Sequence, residues 1–340
     1  MDLNNLKRAF LSPLIEAVPL SLSRWVSSCN LIIVYYHVVS DAPLPHIENL
    51  YRYKNVRKFT EDLDFLLKNY SPVELSEVIQ WVRGDRTLAP DSFLLTFDDG
   101  LSETHDIIAP ILSEKGIPAT FFVSSAFLDN RELCYLHKIS LLADHIKQGI
   151  SPHAEREVRG MLIEMGLPGS PLAEEIGRVH YKQRDRLDAI AELLGLDFQE
   201  YLSATRPYLT SEEVREMIRK GFTIGSHSID HPYYSDLSLK DQLFQTVTST
   251  MEIRQRFELD YGAFAFPHND LGVSREFFDK IEENGLIDIS FGTGGMLKGA
   301  LERHRQRVSL EDPSLTAKEI LAWEYTRRIY YQMRKKSGAH

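Results

Sequence analysis

Short apolar runs along the chain alternate with longer segments in which apolar residues recur at helical spacing. The first run, LIIVYY at residues 31–36, has the β-branched and aromatic content of a buried strand. It precedes a segment from Val56 to Tyr70 in which Phe59, Leu63 and Leu66 share one helical face. Further strands are predicted over 92–97 and 119–123, and further helices over 75–82 and 104–115. This alternation predicts an α/β fold built on parallel strands.

The alternation resumes in the second half of the chain, after an interruption. It predicts strands over 222–225, 262–266 and 287–291 and helices over 210–220, 238–257 and 274–284. The interruption lies between Phe127 and Pro207, where the sequence is charged, helical in pattern and broken by glycine and proline. Its apolar content is thin for an independent core. We therefore predict a helical insertion over about 127–207, with a separate small domain as the alternative.

Both ends of the chain carry further helical patterns, as an N-terminal helical segment over 1–30 and a C-terminal helix and tail over 311–340. Lys7 and Arg8 precede an apolar stretch, as in a signal peptide, but prolines and a glutamate interrupt it and no cleavage site follows. We predict neither a signal peptide nor a membrane-spanning helix. The C-terminal helix mixes aromatic and basic residues, which predicts packing on the fold, with peripheral membrane contact as the alternative.

Composition narrows the classes of function. The 340 residues are 43% hydrophobic and 26% charged, which is ordinary for a globular protein. The formal net charge of -10 argues against a broad nucleic-acid-binding surface, so we expect no nucleic-acid partner. Cys29 and Cys134 fit neither a disulfide framework nor a paired-cysteine zinc site. Reduced thiols favour a cytoplasmic location.

Two adjacent carboxylates follow the predicted strand at 92–97. The sequence TFDDG at 96–100 runs from the apolar strand directly into Asp98 and Asp99. Active sites of α/β folds lie at the carboxyl ends of their strands. Burying two neighbouring carboxylates is unfavourable unless a cation or a proton accompanies them. The alternative is a helix cap with a tight turn, where aspartate and glycine are common.

Two histidines follow the predicted strand at 222–225, as His227 and His231 in the sequence GSHSIDHP. At this spacing both imidazoles can lie on one side of a helical turn and bind one metal ion, although surface or capping histidines are the alternative. Parallel strands end on the same face of a fold. Together the two segments therefore predict a three-ligand metal site and a second carboxylate left as a base. Such a set suits metal-assisted hydrolysis of an amide or ester.

Both segments resemble the motifs of the polysaccharide deacetylase family, also called the NodB-homology family or carbohydrate esterase family 4. The first family motif, TFDDG, occurs unchanged at 96–100, and the second, H-S/T-x-x-H, occurs at 227–231. The first strand ends in Tyr35-Tyr36-His37-Val38, which is similar to the Tyr-His-x-Val start of many members. The resemblance covers about 31–310. It implies a distorted (β/α)7-type barrel, NodB-like, with a helical insertion.

The resemblance also implies a role for each matched residue. Asp98 would act as the general base, and one divalent metal ion would be held by Asp99, His227 and His231. Zinc is the first choice for this ligand set, with another transition metal as the alternative. The ion would lower the pKa of water and polarise the acetyl carbonyl. His37, at the end of the first strand, would face the site as a substrate or supporting residue, or else be a hydrogen-bonded core histidine.

The later motifs depart from the family pattern. The third, FAFPHN at 264–269, lacks the family's arginine, and His268 after Pro267 stands where an aromatic residue is common. The fourth has no counterpart. The best match to the fifth is His304, which we predict as the general acid, with His268 as its rival. Arg307 would orient the base or bind substrate; the alternative for His304 and Arg307 is a solvated charged loop.

The leading hypothesis is a metal-dependent hydrolase, cytoplasmic or membrane-peripheral, that removes N-acetyl groups from a sugar in a glycan or glycan precursor. A metal-dependent amidase acting on a non-sugar or cyclic amide is the alternative, because the altered third motif allows another substrate. A non-enzymatic glycan-binding module is a third hypothesis, and retention of all metal and base residues argues against it. The sequence leaves the sugar, its linkage and the oligomeric state open.

Overall fold

Parallel strands built from the short apolar runs form the centre of the fold. The computed structural model describes residues 20–27, 29–169, 171–296 and 301–336. Most of the predicted N-terminal helical segment, residues 1–19 and 28, lies outside the described residues. The strands are β1 Leu31–Tyr36, β2 Ser71–Pro72, β3 Ser92–Phe97, β4 Ala119–Val123, β5 Thr223–Ser226, β6 Ala263–Ala265, β7 Ile289–Gly292, β8 His304–Gln306 and β9 Val308–Ser309.

The order of the strands gives a nearly closed barrel. Hydrogen-bonded neighbours follow the order β8-β7-β6-β5-β4-β3-β1-β9, and β2 adds to β3. Strands β8 and β9 are one stretch of chain interrupted at Arg307. The first half pairs in parallel with β7 and the second half pairs in parallel with β1. With this stretch counted once, the main strands of the described residues number seven, and the predicted distorted (β/α)7-type barrel is confirmed.

The sequence pattern does not predict the stretch β8–β9 that closes the barrel. Its charged residues resemble a solvated loop, which was the alternative for His304 and Arg307. Both residues are buried instead, since Arg307 is 0% exposed and His304 is 5% exposed. The solvated-loop alternative is therefore wrong. A buried guanidinium is tolerated only when its charge is paired, so Arg307 requires an anionic partner inside the barrel.

Helices surround the barrel. They are α1 Leu20–Ser27, α2 Val56–Asn69, α3 Leu75–Arg83, α4 Ala109–Lys115, α5 Tyr135–Gln148, α6 Pro152–Glu164, α7 Leu172–Ile176, α8 Arg186–Leu194, α9 Phe198–Thr205, α10 Ser211–Arg219, α11 Leu239–Phe257, α12 Arg275–Asn284 and α13 Ala317–Lys336. The Asn55 side chain caps α2, and Thr210 with Glu213 forms the capping box of α10. The helix predicted over 104–115 differs at its start, because Thr104–Ile108 is a π-helical turn. Such turns are frequent at functional sites.

Helices α5 to α9 occupy the stretch that we predict as a helical insertion. Their apolar residues form one buried cluster that also includes Val38, Leu44, Ile47 and Leu101. Val38 follows β1 and Leu101 follows β3. The insertion therefore shares its core with the loops at the carboxyl ends of the strands, and packs over that end of the barrel.

The C-terminal helix α13 packs against α1 and α2. Ala317, Leu321 and Tyr325 are buried in the main core, whereas Tyr330 and Tyr331 are exposed. The buried face agrees with packing on the fold, and peripheral membrane contact of the exposed face stays a prediction. Among the described helices, none has both the length and the apolar character that crossing a bilayer requires.

Candidate active site

The carboxyl ends of β3 and β5 bring four chemical groups together. Asp98 and Asp99 directly follow β3, His227 directly follows β5, and His231 lies four residues later. Strands β3, β4 and β5 are parallel neighbours, so their carboxyl ends lie on one face of the barrel. Asp98 and His227 are each 1% exposed. The sheet therefore places these groups away from bulk water, where charge interactions are strong.

Asp99, His227 and His231 form a cluster with the dimensions of a metal site. Asp99 Oδ1 lies 3.4 Å from His227 Nε2 and 3.1 Å from His231 Nε2. Ligand atoms bound about 2.1 Å from a tetrahedral zinc ion are about 3.4 Å apart. Asp99 Oδ1 and His227 Nε2 are buried and make no hydrogen bond to the described residues. A divalent cation would satisfy both atoms, so these residues fit the metal that the resemblance implies.

Hydrogen bonding and charge prepare the same groups for a cation. His227 Nδ1 lies 2.9 Å from the carbonyl oxygen of Ala265. Nδ1 therefore carries a ring proton, so that Nε2, which faces Asp99, can bind a metal ion once it is deprotonated. Burial opposes ionisation of Asp99, but His231 and His227 outweigh it and hold the pKa of the carboxyl well below its usual range. Asp99 is thus an anion at neutral pH.

Strained backbone holds these residues in place. The φ angle is 72° at Asp99, 65° at Ser228 and 62° at His231, in the left-handed region that residues with a Cβ rarely adopt. Gly100 has a φ of 69°, and a Cβ added there would lie 2.9 Å from Val123 Cγ1. Only glycine fits that position. Strain of this kind persists where the surroundings impose it, and its concentration here indicates a functional constraint.

Asp98 has different surroundings from its neighbour. Arg307 Nη1 donates to Asp98 Oδ1 and Arg307 Nη2 donates to Oδ2, each at 2.7 Å. Arg307 also donates to Thr96 Oγ1 at 3.1 Å and lies over the ring of Tyr35. Burial opposes ionisation of Asp98, but Arg307 outweighs it and lowers the pKa of the carboxyl. The carboxylate predicted as the base is therefore ionised and fixed in orientation by a two-pronged ion pair.

His37 faces the same cavity from the end of β1. Its Nδ1 lies 2.6 Å from Glu311 Oε2, and Glu311 Oε1 accepts the backbone N–H groups of His37 and Val38. Burial alone would lower the pKa of His37. The Glu311 carboxylate outweighs burial, with smaller contributions from Asp99 and Asp98, and raises the pKa of His37 to about 10. His37 is therefore a protonated imidazole near neutral pH.

His268, from the third-motif segment, forms part of the cavity wall. Its ring stacks on Tyr233 with centroids 3.5 Å apart, and it meets the ring of His231 edge-on at 4.5 Å. Burial lowers the pKa of His268 to about 2, so the ring is neutral and a poor proton donor. Pro267 precedes it and turns the chain, since the Pro267 carbonyl accepts the Asn269 N–H at 2.6 Å.

His304, the predicted acid, lies outside this cavity. Its Nδ1 is 2.9 Å from Ser290 Oγ, its Nε2 is 3.0 Å from Asp270 Oδ2, and its ring packs on Phe278 of α12. Strand residues three positions apart point to opposite faces. Arg307 therefore points into the barrel while His304 points outward to α12, and the structure does not bring His304 to the reacting groups.

The cavity at this end of the barrel has a volume of about 350 Å³. Besides the site residues, its walls come from the loop after β1, from the insertion and the residue that follows it, and from the loop after β5. They include Leu50, Tyr51, Phe127, Leu136, Tyr208 and Tyr233. Apolar and aromatic walls around a few convergent polar groups are typical of a small-molecule site. The insertion is thus part of the candidate active site rather than a remote attachment.

Glu311 and Tyr51 are site residues that the sequence analysis does not identify. Glu311 follows the closing stretch in the sequence SLEDPS, and Tyr51 lies in the sequence LYRY before α2. No motif or periodic spacing marks either position. Their proximity to His37, which only the fold creates, is the signal that identifies them.

Comparisons with known proteins agree with this arrangement. The sequence profile of the family described as polysaccharide deacetylase matches residues 85–286, which is more than half of the chain. No curated protein matches the chain at a significant level.

Three solved structures have a similar fold. Streptococcus pyogenes deacetylase PplD in complex with acetate is 16% identical with a TM-score of 0.55, covering 86% of this chain and 97% of that chain. IcaB from Ammonifex degensii is 17% identical with a TM-score of 0.55, covering 87% and 97%. BC0361, a polysaccharide deacetylase from Bacillus cereus, is 13% identical with a TM-score of 0.52, covering 88% and 68%. At these identities the likeness concerns the fold.

Proposed function

Because this chain belongs to the polysaccharide deacetylase family, we propose that it uses one divalent metal ion to remove N-acetyl groups from a sugar in a glycan or glycan precursor. Family membership makes the protein a carbohydrate deacetylase, and the metal dependence and the acetamido sugar are the proposal. The observation that carries it is the cluster of Asp99, His227 and His231 beside the ion-paired Asp98.

Asp99, His227 and His231 would hold the ion. One carboxylate and two imidazoles favour zinc among the transition metals. Asp99 Oδ1 and His227 Nε2, which make no hydrogen bond to the described residues, are available as donors. Once bound, such an ion polarises an amide carbonyl and lowers the pKa of water.

Asp98 would accept the proton of the attacking water. Arg307 holds one lone pair of each carboxylate oxygen and keeps the group ionised. Each oxygen has a second lone pair, so Asp98 can accept a hydrogen bond from water while it remains paired with Arg307. The ion pair thus fixes the direction from which the proton is taken.

His37 would protonate the leaving nitrogen, in place of His304. His304 packs against α12, whereas His37 lines the cavity together with Asp98 and Asp99. Glu311 keeps the imidazole of His37 protonated, and a protonated imidazole can deliver its proton to an amine leaving group. Base and acid would then stand at the ends of two neighbouring strands, β3 and β1.

The size of the cavity supports a small part of a substrate as its occupant. A volume of about 350 Å³ is at the lower end for small-molecule sites. We propose that one acetylated sugar enters it while the rest of the glycan or carrier stays outside. The cytoplasm, or a membrane surface facing it, is the proposed site of action.

Release of acetate tests this function. Wild-type protein is incubated with N-acetylated sugars in free, nucleotide-linked and lipid-linked form, and with non-sugar amides. We expect acetate from at least one acetylated sugar, loss of activity after chelation and recovery with zinc. Release from the non-sugar amides alone would favour an amidase instead.

Elemental analysis tests the metal separately. Protein purified without chelator should contain about one ion per chain. The double variant His227→Ala, His231→Ala should lose the ion, whereas a matched double variant of two exposed histidines, His153→Ala with His180→Ala, should keep it. Retention of the ion by the first double variant would contradict the assigned ligands.

A further inference from the structure

Tyr51 is part of the cavity wall, and its hydroxyl has no partner among the residues that the structure describes. Its oxygen is shielded from solvent and makes no hydrogen bond to the described residues. The hydroxyls of two other tyrosines in the cavity wall do have partners. Tyr208 Oη accepts the Cys134 N–H at 2.9 Å, and Tyr35 interacts with Ser309. Tyr51 therefore brings a free donor to the site.

The surrounding loop holds Tyr51 in one place. Ile47, which is fully buried, anchors the loop, and the backbone N–H groups of Leu50 and Tyr51 both donate to its carbonyl. The ring of Tyr51 packs on His37 with centroids 5.1 Å apart. The phenol is thus fixed beside the group that we assign as the acid.

A shielded donor without a partner lowers the stability of a folded protein, and such a group in a native protein indicates a catalytic role, an ion, a ligand or an ordered water that satisfies it. Burial, together with the nearby carboxylates of Asp99 and Glu311, raises the pKa of Tyr51 well above its usual value. The hydroxyl therefore keeps its proton at every working pH. Tyr51 lines the same cavity as His37, Asp98 and Asp99.

We propose that Tyr51 donates a hydrogen bond to the acetyl oxygen of the substrate as that oxygen becomes negative during attack by water. This inference rests on the proposed deacetylation. It assigns a catalytic residue outside the segment that matches the family profile, residues 85–286. A preorganised donor aimed at a developing negative charge stabilises the transition state more than the bound substrate. No bond to Tyr51 forms or breaks, and its proton stays on the phenol.

The variant Tyr51→Phe removes the donor and keeps the ring. We expect kcat to fall about 10²-fold, with KM, metal content and both limbs of the pH profile unchanged. We also expect an equal or higher melting temperature, because the variant removes a shielded polar group that the free protein leaves unpaired. The matched control is Tyr53→Phe. The Tyr53 hydroxyl donates to Ala42 O and accepts from the Leu44 N–H, each at 3.1 Å, within the same loop. Removal of this hydroxyl should leave kcat unchanged.

Three results would overturn the inference while leaving the proposed function intact. They are wild-type kcat in Tyr51→Phe, a raised KM with unchanged kcat, and a loss of activity that accompanies a lowered melting temperature. The last would indicate a structural hydroxyl. Absence of acetate release by the wild-type protein from every acetylated sugar would refute the proposed function, and the inference with it.

Discussion

Asp98 and Asp99 are adjacent in sequence but have different surroundings. Substitution of each should therefore impair a different property, catalysis or metal binding. Asp98 forms an ion pair with Arg307, whereas Asp99 Oδ1 has no hydrogen bond among the described residues and faces His227 and His231. We expect Asp98→Asn to keep the metal and to lose activity by about 10²–10⁴-fold, as for removal of a general base. Asp99→Asn should weaken metal binding itself, because an amide is a poorer ligand than a carboxylate. Acetate release and metal titration of both variants make the comparison.

The exposed Asp106, on the π-helical turn, provides the control. Asp106→Asn should leave both activity and metal binding unchanged. Near wild-type turnover in Asp98→Asn would show that the base has been assigned wrongly.

The pair of His37 and Glu311 predicts the alkaline limit of activity. Glu311 raises the pKa of His37, so protonated His37 persists as pH rises and is lost when pH passes its folded pKa. Glu311→Gln removes the anion. The protonated form should then be lost at lower pH, and the alkaline limb of kcat/KM should move to lower pH.

His304→Ala serves as the comparison, because His304 packs outside the cavity. The alkaline limb of kcat/KM in His304→Ala should lie at the same pH as in the wild type. A limb that moved with His304→Ala and not with Glu311→Gln would return the acid role to His304.

At the scale of elements, the helical insertion contacts the metal-ligand loop, residues 227–231 of the proposed site, at Asp230. The contacts are a hydrogen bond from Tyr181 and an ion pair with Arg184 at 3.7 Å. Tyr181 Oη donates to Asp230 Oδ2 at 2.5 Å, and Gln245 Nε2 donates to Asp230 Oδ1 at 2.7 Å. Asp230 directly precedes His231. We expect Tyr181→Phe to lower metal affinity about 10-fold, since groups that orient ligands commonly contribute that much. Competition with a chelator measures the affinity.

Tyr201→Phe is the matched control for this bridge. Tyr201 also belongs to the insertion, but its hydroxyl pairs with His46. Its loss should leave metal affinity unchanged. Equal affinities for the wild type and Tyr181→Phe would mean that the insertion does not position the metal-ligand loop.

The elements also show what the sequence could predict and why. The strands β1, β3 and β4 have the predicted bounds because their side chains are buried on both faces, which gives continuous apolar runs. The stretch β8–β9 is not predictable in this way. Arg307 is buried there because Asp98, 209 residues away in sequence, neutralises it, and no local pattern reports that partner.

Across the whole molecule, acid should weaken the fold through His46, which joins the loop after β1 to the insertion. His46 is buried beside His137 and pairs with Tyr201, and burial lowers its pKa from 6.5 to about 4. Between these values the unfolded chain binds a proton that the folded chain does not. Stability therefore rises with pH across this window and is lost as pH falls, by up to about 3 kcal/mol for this group.

Denaturant unfolding at several pH values between 4 and 6.5 measures this dependence. His46→Gln should lower the slope by about one proton and leave the part due to the other buried histidines, His137 and His268, whose pKa values burial also lowers. The exposed control His153→Gln should leave the slope as in the wild type. An unchanged slope in His46→Gln would mean that His46 is not responsible.

The sequence predicts the overall architecture, a barrel with a helical insertion, because alternating strands and helices are typical of parallel strands joined by helices. The cluster of Asp99, His227 and His231, our candidate metal ligands, was predictable as a group because these residues stand at strand ends within short motifs. The role of the insertion was not predictable, because its sequence pattern indicates helices but not the part of the molecule that those helices cover. That Phe127, Leu136 and Tyr208 form a wall of the cavity depends on packing between distant parts of the chain.

The stretch β8–β9, which closes the barrel, also determines when a newly synthesised chain can become active. The ribosome delivers the N-terminal part first, so Asp98 and His37 emerge long before Arg307 and Glu311. Until the last strand docks, neither group has its ion-pair partner, and a buried Asp98 without a countercharge is unfavourable. Barrel closure and readiness for hydrolysis are therefore one event, which follows synthesis of residues 304–311, and a nascent or shortened chain that lacks this stretch is inactive.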